Sequence, residues 1–285
     1  MGEKITEILP LRYDSPDPRT LFSSVAGEGE VSGMGFAAAH GGFMRSTLKA
    51  TLLIVIISLG ASVAQAQNAG LTHIFPQVVD GVSSDGTVYT SRFVIATSGG
   101  SPATCQVSLF GVGPERLSAG ASILVQGSFF ETITSRGEGA IASGYARLDC
   151  SQPVVASLTY SILSATGTSR GIATVPSAPS AAAVLIPVVF NGRYRYGIAI
   201  TNDNDAAQLV PLLFDSGATS LVRTIQLQPR SHYVAFVDEI FNVPAAGLAT
   251  LRIGAVEGIG ADRFHITALL FDQGSFTNMV PAVIH

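Results

Sequence analysis

One pattern occurs twice in this chain, and that duplication limits what the chain can fold into more than any other feature. IFPQVVDG (74–81) returns as LIPVVFNG (185–192), and RFVIATSGGSPATCQVSLFGVG (92–113) returns as YGIAITNDNDAAQLVPLLFDSG (196–217). SGYARLDCSQPVVASLTY (143–160) is matched by AGLATLRIGA (246–255) followed by DRFHITALLF (262–271). Each copy closes on Val-Pro, in GIATVPSA (171–178) and FTNMVPA (276–282), and PSAPSAAA (176–183) joins them. The landmarks keep their order at a spacing of about 104–111 residues, so a repeated unit of domain size is expected.

Within each copy the apolar residues alternate over short runs, as in 92–97 and 106–110, and Gly, Pro, Asn, Asp and Ser interrupt them. Period-two alternation broken by turn formers predicts short antiparallel strands. VAFVDEIFNV (234–243) is the one candidate for a turn or two of helix. Roughly 100 residues in about seven strands is the size of a β-sandwich. The expected fold is all-β: two tandem immunoglobulin-like antiparallel β-sandwich domains, over 71–178 and 183–285. The chain has no Trp, so the Cys…Trp…Cys core of an antibody domain is missing.

Ahead of the copies, MRSTLKATLLIVIISLGASVAQA (44–66) has a basic start, an apolar run from Ala50 to Ala61 and the small residues of Ala64-Gln65-Ala66. These are the three parts of a secretory signal peptide. The apolar run falls short of the ~20 residues that span a bilayer core, so a retained anchor is the lesser reading. Residues 1–43 are polar and without periodicity; they are expected to be a gene-start artefact or a leader extension, with the mature chain beginning at Gln67.

That mature chain, 67–285, carries 11 Arg, no Lys and 14 Asp plus Glu, a net −3. No nucleic-acid surface is expected, because phosphate neutralisation needs clustered cations. Both cysteines, Cys105 and Cys150, fall in the exported part, where a disulfide is the default. Two thiols without nearby His fall short of a zinc site.

LLFDSGATS (212–220) carries the hydrophobic-hydrophobic-Asp-Ser-Gly pattern of an aspartic peptidase, centred on Asp215. Such an enzyme needs two carboxylates sharing one proton. The matching stretch of the first copy, FGVG (110–113), places Gly111 where the second acid would stand. Asp-Ser-Gly is also ordinary turn chemistry: Asp bonds its own backbone and Gly accepts positive φ. The turn is the expected reading, and a dimeric aspartic peptidase-like enzyme using Asp215 is the alternative.

TNDNDAA (201–207) is read as a hairpin loop, with a weak calcium site through Asn202, Asp203, Asn204 and Asp205 as its rival. His73, His232 and His265 are scattered, and His265 is expected simply to occupy a strand. NGRYRYGIAI (191–200) puts Arg193 and Arg195 on one strand face and Tyr194 and Tyr196 on the other; on an edge strand they would suit a glycan or partner surface.

The landmark order resembles a module at the ends of secreted bacterial proteins of acidobacterial type. LLFDSGAT (212–219), IQLQPRSHYVAFVDEIF (225–241) and ALLFDQGSFTNMVPA (268–282) carry that resemblance, which covers essentially all of 71–285. It implies structure and no activity; the cysteine pair and a missing aromatic after the first Gly depart from it. The expectation is an exported, non-enzymatic protein, secreted, periplasmic or at the cell surface, with a structural, adhesive or partner-binding role. An envelope protein or a glycan is the expected partner, without cofactor, metal or catalytic set, and without membrane integration once the signal is cleaved. An outer-membrane barrel is a third reading, disfavoured by the AVIH terminus and few aromatics.

Overall fold

The computed structural model describes residues 69–97, 99–118, 121–126, 130–242, 247–255, 263–272 and 275–284. The 1–43 extension, the 44–66 signal and the Gln67 start lie outside them. The chain is all-β, with several antiparallel sheets in a β-sandwich-like arrangement.

The first half holds β1 (Gly70–Val82), β2 (Val88–Thr97), β3 (Ala103–Phe110), β4 (Ser122–Val125), β5 (Phe130–Thr134), β6 (Ala142–Leu163) and β7 (Ser169–Pro176). After the short β8 (Ser180–Ala181) come β9 (Ala183–Phe190), β10 (Tyr194–Asn202), β11 (Gln208–Asp215), β12 (Ser220–Leu227) and β13 (Ser231–Phe236). A one-turn helix α1 (Val237–Phe241) precedes β14 (Gly247–Gly254), β15 (Phe264–Asp272), β16 (Ser275–Met279) and β17 (Ala282–Ile284).

β6 is 22 residues long and belongs to two layers. Its first part pairs with β1 and β3, from Asp80↔Ala142 and Phe110↔Tyr145 to Cys105↔Cys150. Its second part pairs with β2 and β7, from Thr97↔Val154 and Ser157↔Pro176 onward. The change falls at the exposed Ser151-Gln152-Pro153, where Pro153 has no N–H to give a ladder. One layer therefore reads β4-β3-β6-β1 and the other β5-β2-β6-β7.

In the second half the sheets are β12-β11-β14-β9-β17 and β13-β10-β15-β16, with β8 on β15. The pairing order of the first half thus recurs, with β14 and β15 in place of the two parts of β6. It differs from the ABED and CFG order of an immunoglobulin domain. Counted from β9 in the second half, the first strand lies beside the sixth (β14), and the seventh (β15) beside the second (β10).

Each half buries the alternate residues of its facing sheets. Phe75, Phe93, Ile95, Leu148 and Leu158 lead one cluster, and Ile186, Ile198, Ile200, Leu212 and Phe264 lead the other. Fully burying such side chains contributes about 1.5–3 kcal/mol apiece.

The sheet β13-β10-β15-β16 is covered on both faces. Tyr196, Ile198, Ile200, Phe264 and Ile266 point into the second half's cluster. From the opposite face Val234, Phe236, Leu269 and Phe271, with Phe276, join the cluster of the first half. All six residues from Gly197 to Asn202 are consequently buried, as in strands enclosed on two sides. Phe236 and Phe271 meet edge to face, with centroids 5.1 Å apart. A Cβ on Gly197 would stand 3.0 Å from the Phe271 ring, so glycine there makes the room.

β10 lies between β13 and β15 from Gly197 onward, while Tyr194–Tyr196 pair with β15 alone, and the Arg and Tyr side chains considered for a glycan or partner surface are taken up within the fold. Arg195 stacks on Phe236 at 3.7 Å and pairs with Asp238 and Glu239, and Arg193 holds Asp272 with two hydrogen bonds of 2.6 and 2.7 Å. Tyr196 is buried, with its hydroxyl accepting from the Val189 N–H.

Cys105 and Cys150 form a disulfide between directly opposed residues of β3 and β6. It ties neighbours within one layer.

Candidate binding cleft between the two halves

The polar contacts between the halves converge on Asp203, at the end of β10. Its side chain is only 12% exposed. It accepts from Tyr145 Oη at 3.0 Å, Arg147 Nη1 at 2.9 Å and Arg230 Nη1 at 2.8 Å. Arg147 also donates through Nε to Asp149, which takes a further hydrogen bond from Thr72. Arg230 donates through Nε to Asp205. Thr72, Asp149 and Arg147 of the first half thus form one chain with Asp203, Arg230 and Asp205 of the second.

Local backbone aims these groups. Asn202 Oδ1 caps the Asn204 N–H, and its amide donates to the Ala206 and Gln228 carbonyls, which closes the 203–206 loop. Arg230 sits at φ 51°, in the left-handed region that non-glycine residues seldom adopt, with its N–H on the Asn204 carbonyl. That conformation turns its guanidinium back over the loop.

The electrostatics follow. The Asp149 hydrogen bond holds Arg147 above its usual range. Burial works against the Asp149 charge, yet the Arg147 and Thr72 hydrogen bonds outweigh it and keep the carboxyl below the usual range. Burial first, and then the Asp203 charge, push the Tyr145 hydroxyl upward.

Beside this network a cleft of about 660 Å³ opens between the halves. Its apolar walls include Ile74, Val184, Ile266 and Met279, and its polar lining includes Thr72, His73, Ser177, Asp203, His265, Thr267 and Asn278. His73 Nε2 lies 3.1 Å from the Gly70 carbonyl, which can only accept, so Nε2 carries the proton. Nδ1 then accepts from the Ser177 hydroxyl at 2.9 Å, linking β1 to the join. His265 Nδ1 donates to the Ala178 carbonyl at 2.9 Å.

Against the sequence expectations, His265 does occupy a strand, opposite Ser180 and Thr201. The acids of 202–205 face arginines, and among the described residues no group of three or more His, Cys, Asp or Glu is arranged to hold a metal ion. Asp215 ends β11 in a hairpin with β12; its Oδ1 accepts from the Gly217 N–H at 2.8 Å, and Gly217 has φ 77°. Cys105 lies in that hairpin's counterpart, and Asp215 stands at the end of β11 opposite to the one that the 203–206 loop enters. The cleft residues His73, Ser177, Thr267 and Asn278 carried no signal in the sequence; only the docking of the halves brings them together.

No family model matches this chain, and no curated protein matches it. A search of solved structures returns the lectin of Pleurotus ostreatus, solved in complex with GalNAc. The identity is 10%, the alignment covers 76% of this chain and 77% of the lectin chain, and the TM-score is 0.17, too low to support a shared fold. Among the described residues no helix is long and apolar enough to cross a membrane.

The histidines are expected to make the junction acid-sensitive. His232 lies 3.3 Å from the Ser143 hydroxyl across the junction, and burial pushes its imidazole down to about 4. Burial also lowers His73 and His265. An unfolded histidine protonates near 6.5, so between about pH 6.5 and about pH 4 the unfolded chain binds protons that the folded chain refuses. Stability should therefore fall by on the order of 2 kcal/mol from about pH 7 to about pH 4.5, read from urea midpoints, and His232→Gln should flatten the slope. A pH-independent midpoint would contradict this.

Proposed function

We propose that this chain is an exported, non-enzymatic binding protein, built as two tandem β-sandwich domains over 71–178 and 183–285, immunoglobulin-like in size but not in strand order, that works outside the cytoplasm. Its ligand lodges in the cleft between them. The observation that carries this reading is the cleft itself: both halves supply its walls, and a few polar groups converge among apolar side chains, as in small-ligand sites. The cleft favours an uncharged ligand rich in hydrogen-bonding groups. Its one carboxylate, Asp203, is already matched by Arg147 and Arg230, and burial keeps the His73 and His265 rings toward their neutral forms. Sugar hydroxyls of an envelope glycan, or the backbone of an extended segment of an envelope protein, present that chemistry. The signal peptide and the resemblance to a module of secreted bacterial proteins supply the setting.

Val280 lines the cleft and is 53% exposed, so Val280→Arg obstructs the opening without disturbing either core. A glycan array and a panel of envelope-protein peptides should each be probed with the wild type and this variant. The reading expects a class of ligand that binds the wild type and loses at least about ten-fold in affinity on Val280→Arg. Binding untouched by the substitution would place the ligand elsewhere and refute it.

A further inference from the structure

We propose that the outer face of the sheet β12-β11-β14-β9-β17 is where two copies of this chain dimerise, with Arg252 of each copy meeting Asp215 of the other. The inference is independent of what the cleft holds.

The duplication makes Arg252 conspicuous. Arg147 stands opposite Ile74 on β1 and Ser108 on β3. Arg252 stands opposite Leu185 on β9 and Leu213 on β11. Since Ile74 and Leu185 each precede the buried residue of Phe75-Pro76 and Ile186-Pro187, the two arginines hold one position in the two copies. In the first half that position is engaged by the second half, through Asp203 on Arg147. In the second half no described residue engages it: Arg252 Nε is buried without a hydrogen-bond partner. Such an orphaned donor costs free energy until a partner arrives.

The surroundings suit a partner that is partly apolar. Val222, Leu213, Arg252 and Leu185 form one row across four strands, and Leu248 and Val189 pair beside it. Leu248 is 74% exposed and Val222 46%. Among the outward positions of these strands, Arg252 and Asp215 are the charged ones. Asp215 lies opposite Thr250, two residues along β14 from Arg252, and only its Oδ1 is engaged, by Gly217. A face with one cation and one anion is complementary to itself about a two-fold axis, because residue i meets j and j meets i. A second copy therefore gives each Arg252 one carboxylate and covers the exposed leucine and valine side chains. With 25 charged residues in the mature 219, little net repulsion opposes this.

Sedimentation velocity of the mature chain over a micromolar concentration series tests the inference. A dimer is expected, and Arg252→Asp or Asp215→Arg alone should raise its dissociation constant at least ten-fold. Mixing those two variants should restore association, because each mixed pair again joins unlike charges. Leu248→Asp, at an exposed site that the fold does not need, should also weaken the dimer. A wild type monomeric throughout, a dimer indifferent to Arg252→Asp and Leu248→Asp, or mixed variants that stay apart would each overturn it.

Discussion

Replacing Asp203 by alanine is expected to cost about 2–4 kcal/mol of stability. The carboxylate is nearly buried and serves three donors from both halves, so its removal strands Tyr145 and leaves Arg147 and Arg230 with one acid each. The two arginine side chains are about a third exposed and recover part of their hydration, which keeps the cost below that of a wholly buried pair. For a chain of this size the loss corresponds to roughly 5–15 °C in Tm. Asp205→Ala is the control: that side chain is 87% exposed, and its ion pair with Arg230 should matter by less than about 0.5 kcal/mol. Calorimetric melting of both variants reads the contrast. Equal, small effects would show that the network does not hold the halves together.

The second large effect concerns the cysteines. The second half itself supplies the substitutions, since the β11–β14 register, carried two residues beyond Leu212↔Ile253, sets Val210 where Cys105 stands and Ala255 where Cys150 stands. Cys105→Val with Cys150→Ala therefore removes the cross-link while keeping side chains that the same architecture accommodates. The cross-link spans 45 residues of sequence, and the chain-entropy account gives about 4 kcal/mol for a loop of that length. A loss of about 2–4 kcal/mol in denaturant unfolding is expected, matched by the wild type under reducing conditions. A variant as stable as the oxidised wild type would mean that the unfolded chain gains nothing from its release.

Those pairings also locate what the sequence made legible. The repeated landmarks anticipated that the halves share one plan, with the long SGYARLDCSQPVVASLTY segment matching two separate strands of the second half, β14 and β15; they did not carry the strand order. Register was the weak point. The block match of 92–113 with 196–217 sets Cys105 against Leu209 and Asp215 against Gly111, one residue off; the strand registers set Cys105 against Val210 and Asp215 against Phe110. A slip of one residue exchanges the faces of a strand, and here it matters: Val210 is wholly buried, while Leu209 is 55% exposed. Neither version gives Asp215 an acidic counterpart in the first half. The loops between strands differ in length between the copies, and no local signal counts them.

The junction was not legible for a different reason. Alternation reports on one covered face, whereas β10 has two, and Gly197-Ile198-Ala199-Ile200 reads as an apolar run without saying what covers either side. The acids of TNDNDAA read locally as a turn or a cation site. Their partners, Arg147 and Arg230, lie 56 and 27 residues away from Asp203 in sequence, so their role emerges only when the halves meet.

The continuity of β6 has a mechanical consequence. In the first half a single covalent backbone runs through both layers, so a load applied to one layer passes directly to the other along that strand. In the second half β14 ends at Gly254 and β15 begins at Phe264, and the corresponding load must travel around a connection or through side-chain packing. The first half is accordingly expected to be the stiffer of the two under load, with the disulfide clamping β3 to the very strand that carries the force.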